Sequence, residues 1–257
     1  MRILFYPEKP KEFAMWENKV RTYCTMGDIE MTDNPDSDYD AVMFWSYERY
    51  VWNRDEAYHL LRDIMINKGC YDSTKTHNEA SMLAAFGYCS MVDDSYDGVI
   101  LKKANRQCAH DMTVVDKVGA NDNEFIYVKQ IDNRINDNTV MDYRIFYFDG
   151  IIPLVITKAK PLKDRYAGAG ESELMLYDRI HHVLSKDEMD GIDSYCRHYG
   201  SHITELDAIR DIDGRLYIVD NNNIAGQSNI IKQLLTDRRQ WEPLADVFKY
   251  TVEKFIR

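Results

Sequence analysis

Cysteine is scarce in this chain of 257 residues, and its spacing argues against a disulfide-built protein. There are five cysteines, at positions 24, 70, 89, 108 and 196, and no two of them stand in a CxxC spacing. Their number is odd, so a complete disulfide framework would leave one cysteine unpaired. We therefore predict reduced thiols and a cytoplasmic protein.

The chain also has no excess of positive charge and no long apolar run. The chain has 32 Lys and Arg against 43 Asp and Glu, a net charge of −11, so nucleic acid is not an expected partner. No apolar run has the length of a membrane span, and the start of the chain, residues 1–7, is too short for the apolar part of a signal peptide. Hydrophobic content of 45% is typical of a globular protein of one or two domains.

The first third of the chain alternates strand and helix patterns. Apolar spacing predicts strands at residues 3–6 and 40–45 and helices at residues 11–26, 55–68 and 73–86, with Gly69 and Gly87 as stop signals. This alternation is typical of a small parallel α/β unit.

From about residue 97 the pattern changes to strands joined by hairpins. We predict strands at 98–102, 124–131, 142–148 and 151–157, and helices at 173–184, 186–199 and 243–257. The turn at Asp149-Gly150 joins two of these strands. Pro153 lies inside the second of them and predicts an edge or a bulge, because proline cannot donate to a strand ladder.

The most informative segment is a hairpin rich in acidic residues. Asp213-Gly214 is a two-residue turn signal, and pairing outward from it places Asp207 opposite Asp220. Directly opposed carboxylates destabilise a sheet unless a cation lies between them. Asn222 projects from the same face as Asp220, so three oxygen ligands on one face would suit Mg²⁺. The alternative is a surface hairpin whose acidic side chains point into water.

Further polar residues follow in a specific order along the chain. Lys75 stands near a helix start, Lys102 at a strand end, and Gln130, Ile131 and Asp132 at the end of another strand; Arg144 in Asp-Tyr-Arg and Lys158 precede the acidic hairpin. This order resembles the ATP-grasp superfamily over roughly residues 1–235. The Asp-Tyr-Arg strand is most similar to ribosomal-modification and lysine-biosynthesis ligases and to polysaccharide-modifying members.

The resemblance implies an α/β and α+β fold in three parts. Residues 1–95 would form a preceding α/β domain with a linker helix, and residues 96–134 and 135–257 would form two α+β subdomains that hold ATP between them. It also implies that the chain is an ATP-dependent carboxylate–amine ligase with Mg²⁺, acting on a small-molecule carboxylate and an amine. The oligomeric state is left open, with a homodimer as one alternative.

The resemblance also implies a role for each matching residue. Lys75 and Lys102 would contact the ATP phosphates, while Gln130, Ile131 and Asp132 would form the hinge that reads adenine and ribose. Arg144 and Lys158 would be catalytic, and Asp207, Asp220 and Asn222 would bind the metal. A guanidinium on an apolar strand needs an anionic partner. For Arg144 that partner is either an anionic ligand or, as the alternative, Asp142. Lys158 shares a face with Arg144 if a bulge occurs at Pro153.

Two departures from the family pattern leave other functions open. The segment 105–112, where the family has a glycine-rich loop over the phosphates, contains no glycine, and Arg106 or His110 would have to contact phosphate instead. Asp220 also replaces the usual glutamate. An inactive nucleotide-binding module is therefore an alternative. A small-molecule kinase is another, favoured by the basic residues Lys158, Lys160, Lys163 and Arg165.

Overall fold

A computed structural model describes residues 1–10, 19–46, 65–106, 111–119, 123–166, 173–222 and 238–256. The helices in these residues are α1 (Lys19–Met26), α2 (Lys75–Phe86), α3 (Lys186–Tyr199) and α4 (Arg238–Glu253). The strands are β1 (Arg2–Pro7), β2 (Glu30–Thr32), β3 (Ala41–Trp45), β4 (Met65–Ile66), β5 (Ile100–Ala104), β6 (Thr113–Val115), β7 (Phe125–Lys129), β8 (Arg134–Asn136), β9 (Thr139–Phe148), β10 (Ile151–Pro161), β11 (Glu173–Tyr177), β12 (Ile203–Arg210) and β13 (Leu216–Asn222). Among the described helices, none is long and apolar enough to cross a membrane.

The N-terminal part is a parallel sheet in the order β2-β1-β3-β4, as the strand–helix alternation predicted. The predicted helix at 55–68 is wrong at its end, where Met65–Ile66 pairs with β3 and a 3₁₀ turn follows at Lys68–Tyr71. The remainder of that prediction, 55–64, lies outside the described residues, as does 11–18 of the first predicted helix. A short apolar run does not by itself distinguish strand from helix, and here pairing with a buried neighbour decides.

Helix α2 begins and ends where the sequence signals predicted, within two residues. Thr74 caps its start by accepting a hydrogen bond from the His77 amide, and Gly87 ends it with φ of +76°. The left-handed conformation there favours glycine, because a side chain at that φ is strained. The helix therefore presents its first residue, Lys75, at a defined end.

A small antiparallel sheet in the order β6-β5-β7 follows α2. One face of this sheet is apolar and buried, formed by Leu101, Ile126 and Val128. The segment after β7 leads into β8 and the large sheet, so residues 130–133 connect the two sheets. The domain boundaries at 95 and 134 remain predictions.

The large sheet has six strands in the order β11-β10-β9-β12-β13, with β8 pairing to β9. Asp149 and Gly150 both have positive φ and form the predicted two-residue turn between β9 and β10. The predicted helix at 173–184 is wrong: Glu173–Tyr177 is an edge strand on β10, followed by a 3₁₀ turn at Ile180–His182. Its residues are adequate helix formers, but pairing with the open edge of β10 overrides that local preference.

Both faces of the large sheet are covered. One face packs against α2 and α3, with Ile145 and Leu206 in its centre. The other packs against α1 and α4, with Phe146 and Ile156 in its centre, and the N-terminal sheet contributes residues to both clusters. The even-numbered residues of β9 point to this second face, and towards the start of β9 they change from phenylalanine to Arg144.

Candidate active site

The acidic hairpin has the register that the sequence predicted, although the turn is different. Residues 211–215 form a wider loop, in which Arg210 rather than Ile212 starts the ladder, opposite Leu216. A bulge at Val219 on β13 then shifts the register by one residue, so that Asp207 again pairs with Asp220. The two deviations cancel, and the opposed carboxylates are confirmed.

Protein cations surround these two carboxylates. Lys75 Nζ lies 3.1 Å from Asp220 Oδ1, and Arg144 Nε lies 2.8 Å from Asp207 Oδ1. The amide nitrogen of Asn222 donates to the other oxygen of Asp207 at 3.0 Å. Burial raises the pKa of Asp207 and Asp220 adds to that rise, whereas Arg144 opposes it. The opposed acids are thus a site of concentrated negative charge that needs cations.

Arg144 is held by two carboxylates of the neighbouring strand. Besides Asp207, Glu205 accepts from Arg144 Nη1 at 3.3 Å. Asp142, the alternative partner suggested by the sequence, instead pairs with Lys160 at 2.7 Å. The reason is the sheet order: β12 lies beside β9, so Arg144 faces Asp207 directly across the ladder.

The bulge predicted at Pro153 is present and determines where Lys158 lies. The register between β9 and β10 shifts by one residue between Ile151 and Leu154, and beyond it Lys158 pairs with Asp142. Since Asp142 and Arg144 are two residues apart on one strand, Lys158 shares their face. Burial and the neighbouring Lys160 lower the pKa of Lys158.

The small sheet contributes a lysine to the cluster, and it is the neighbour of the one predicted. Burial lowers the pKa of Lys103, and the nearby charge of Lys75 adds to this, whereas Glu79 and Asp220 oppose it. Lys102 alternates to the other face of β5, where its Nζ lies 3.7 Å from the centre of the Phe125 ring. Lys103 pairs with Ile126 and so lies on the face of Leu101, where the charges of Lys75 and Asp220 act on it. A phosphate role for Lys102 remains a prediction that this geometry does not favour.

The predicted hinge residues connect the two sheets and are bonded on both sides, since the Gln130 amide donates to the Val99 carbonyl at 2.9 Å beside β5. Tyr166 donates to the side chain of Gln130 at 2.8 Å, and Arg165 donates to the carbonyl of Ile131 at 3.0 Å. Asp132 accepts from Arg134 at 2.8 Å, and this hydrogen bond lowers its pKa. These residues lie at the junction of the two sheets.

The donor set around the hairpin fits Mg²⁺ better than a metal held by the protein alone. The described residues contain no group of three or more His, Cys, Asp or Glu side chains able to hold a metal ion. Two carboxylates and the oxygen of Asn222 would make an incomplete shell. Mg²⁺ accepts such a shell because it retains waters and takes phosphate oxygens from a nucleotide.

Comparison with known proteins shows the fold. No family model matches the sequence, and neither does any curated protein. Among solved structures, ATP-grasp ligase PsnB, complexed with a phosphomimetic variant of its minimal precursor, Mg and ADP, matches with a TM-score of 0.60 at 11% identity over 98% of both chains. The chain has the ATP-grasp fold.

Two other solved structures share it. Macrocyclase MdnC from Microcystis aeruginosa MRC, bound with precursor peptide MdnA, matches with a TM-score of 0.56 at 11% identity over 99% of this chain and 100% of that one. The D-alanine–D-alanine ligase from Bacillus anthracis matches with a TM-score of 0.53 at 12% identity over 98% and 96%. At such identities, the likeness extends to the fold and not to the substrates.

Within the ATP-grasp fold, the glycine-poor segment starts beside the helix that carries Lys75. The side-chain oxygen of Asn105 accepts from the Thr76 amide at 2.9 Å, one of the amides that the first turn of α2 leaves open. Residues 107–110, with His110, lie outside the described residues. The start of this segment is therefore fixed close to the cluster.

Three residues of the cluster were not predicted: Lys103, Glu205 and Lys19. The pattern Lys102-Lys103 on a strand signals that one of two lysines points inward, but not which one. Glu205 could have been found, since it is two residues from Asp207 and shares its face. Lys19 shows no sequence signal, because its contact with Glu205 spans 186 positions.

Proposed function

We propose that this chain is an ATP-dependent carboxylate–amine ligase that acts through an acyl phosphate. The observation that carries the proposal is the cluster of Asp207, Asp220 and Asn222 with Lys75 and Arg144 in contact. It combines an acidic pair suited to Mg²⁺ with cations suited to phosphate, in a chain with the ATP-grasp fold. Positioning and charge neutralisation are what phosphoryl transfer requires of a protein.

Each residue would have a distinct task. Asp207, Asp220 and Asn222 would hold Mg²⁺, which when bound neutralises charge between the β- and γ-phosphates. Lys75 would move from Asp220 to a phosphate oxygen, and Lys103 would bind phosphate beside it, with Lys102 as the alternative to Lys103. The hinge formed by Gln130, Ile131 and Asp132 would contact the adenosine. A lysine suits mobile charge neutralisation, because its ammonium is a compact charge on a flexible stem.

Arg144 and Lys158 would act at the reacting groups. A substrate carboxylate would attack the γ-phosphorus, so that ADP leaves and an acyl phosphate forms. An amine would then attack the acyl carbon, phosphate would leave, and an amide bond would result. The bidentate guanidinium of Arg144 is suited to the charge of the intermediate, and Lys158 on the same face would assist. A carboxylate nucleophile needs no general base.

A kinase that phosphorylates a hydroxyl is the second candidate. The observation that favours it is the pair Lys158 and Lys160. Both lie on the face of Arg144, and the charge of Lys160 lowers the pKa of Lys158. Such a basic pair would suit an anionic acceptor. A nucleotide-binding module without turnover is the third candidate, supported by the glycine-poor segment at 105–112.

One experiment separates the three. Wild-type protein is incubated with Mg-ATP and pooled amino acids and small carboxylic acids, with and without hydroxylamine, and ADP and hydroxamate are measured. A ligase gives ADP and, with hydroxylamine, a hydroxamate. A kinase gives ADP and a stable phosphorylated alcohol without hydroxamate. A Tm raised by Mg-ATP without ADP release would support the binding module, and a Tm unchanged by millimolar Mg-ATP would contradict all three.

A further inference from the structure

Helix α1 begins with a lysine that is buried against the large sheet. The side chain of Lys19 has no exposed surface, and its ammonium pairs with Glu205, which is 3% exposed. Lys19 Nζ also lies 5.2 Å from the centre of the Phe146 ring. Lysine is almost never fully buried unless it is paired, and burying a charged pair often contributes less stability than apolar packing would. Stability is therefore a weak reason for this pair.

Glu205 uses its two oxygens for two different cations. Oε1 accepts from Lys19, and Oε2 accepts from Arg144 Nη1 at 3.3 Å. The Nε of Arg144 is in turn 2.8 Å from Asp207. The guanidinium is thus held at two of its nitrogens by two carboxylates. Anchoring at two points fixes the plane of a guanidinium, whereas one anchor leaves it able to rotate.

Lys19 determines whether Glu205 can serve as the second anchor. Without the ammonium, the buried carboxylate would have Arg144 as its cationic partner among the described residues, and would draw it away from Asp207. The same site shows how costly the lysine is to bury: burial lowers the pKa of Lys19 to about 8, although Glu205 opposes this.

We propose that Lys19 is a positioning residue, which holds Glu205 so that Glu205 and Asp207 together fix the guanidinium of Arg144. This inference rests on the proposed role of Arg144 at the transferred phosphate. Since α1 packs with the N-terminal sheet and Arg144 lies on the large sheet, the contact makes the geometry of the reaction centre depend on the docking of α1.

The test removes both charges of the pair together. Lys19→Met with Glu205→Gln leaves no uncompensated buried charge, so the double variant is expected to fold, as cooperative unfolding in urea would verify. The matched control is Arg210→Met with Glu188→Gln, which removes another ion pair of β12, on the opposite face. The first readout is NMR of the ligand-free protein. Signals of the Arg144 guanidinium are assigned by their absence in Arg144→Lys.

In wild type and in the control, restricted rotation about the Nε–Cζ bond should give separate signals for the two Nη groups of Arg144. In the double variant these should merge into one averaged signal. The second readout is turnover, measured as ADP release from Mg-ATP. We expect kcat to fall at least tenfold while the Kd for Mg-ATP changes less than threefold. In the Arg144→Lys background, the same double change should lower kcat less than twofold.

Unchanged Nη signals in the double variant would overturn the inference, and so would an equal loss of kcat in both backgrounds. If the double variant does not fold, Lys19→Met alone, in which Glu205 keeps Arg144 as a cationic partner, provides the same NMR comparison with the same two outcomes. A wild-type protein that neither binds nor cleaves Mg-ATP would refute the proposed function instead. In that case the NMR comparison still decides whether the Lys19–Glu205 pair positions Arg144.

Discussion

The Asp220→Asn substitution tests the metal site with little change in shape. It removes one charge of the opposed acidic pair and weakens the contact with Lys75 at 3.1 Å. The side chains of Asp220 and Lys75 are 22% and 15% exposed, and an ion pair of this kind contributes about 1 kcal/mol or less. Relief of the repulsion between opposed strand residues contributes roughly 0.2–1 kcal/mol in the other direction. We expect the free energy of unfolding without ligand to change by less than about 1 kcal/mol.

Ligand binding should respond far more strongly. Mg-ATP at a hundredfold excess over its Kd stabilises a binding protein by about 2.7 kcal/mol. For a chain of this size that corresponds to a Tm increase of roughly 5–10 °C. Asp220→Asn should lose most of this increase, because Mg²⁺ loses a charged ligand. The assay is thermal unfolding by circular dichroism with and without Mg-ATP. Asp213→Asn, the same change at an exposed turn position of this hairpin, is the control and should keep the full increase.

Two results would refute this reasoning. If Asp220→Asn retains the wild-type increase in Tm, Asp220 is not a metal ligand. If the ligand-free variant is destabilised by more than about 3 kcal/mol, the carboxylate is a structural acceptor, because the measured loss would then exceed what a partly exposed ion pair contributes.

Three further predictions follow from the same structure. Lys103→Met should weaken Mg-ATP binding at least tenfold in calorimetry while Lys102→Met changes it less than threefold, and the reverse order would restore the assignment of Lys102. Arg144→Lys keeps the charge but loses the two-point geometry, so kcat should fall at least tenfold further than Mg-ATP affinity does, and an equal fall in both would refute a role confined to the transition state. Burial lowers the pKa of His202, whose Nδ1 accepts from the Asn67 amide at 2.8 Å. The unfolded state therefore binds a proton first as pH falls below about 6.5, and the free energy of unfolding should decrease there. In urea titrations His202→Asn, which offers an oxygen as acceptor, should show a shallower decrease between pH 7 and 5.5, and an equal slope would exclude His202 as the cause.

Local pattern alone was sufficient for the elements whose signals lie within a few residues. Helix α3 occupies the predicted residues, since Ser185 and Glu188 cap its start and Gly200 ends it with φ of +79°. The acidic pair was also predictable, because strand alternation and one turn relate Asp207 to Asp220. That prediction tolerated a wider turn, since the bulge at Val219 compensates for it.

Sheet order decided the rest, because it joins residues that are far apart in the chain. The adjacency of β9 and β12 gives Arg144 the partners Asp207 and Glu205 in place of Asp142, which a single strand would suggest. The open edge of β10 turned a predicted helix into β11. The sequence itself determined which residues share a face, because side chains alternate along one strand. Only the tertiary structure decided which face meets which helix or strand, because that depends on packing between distant segments.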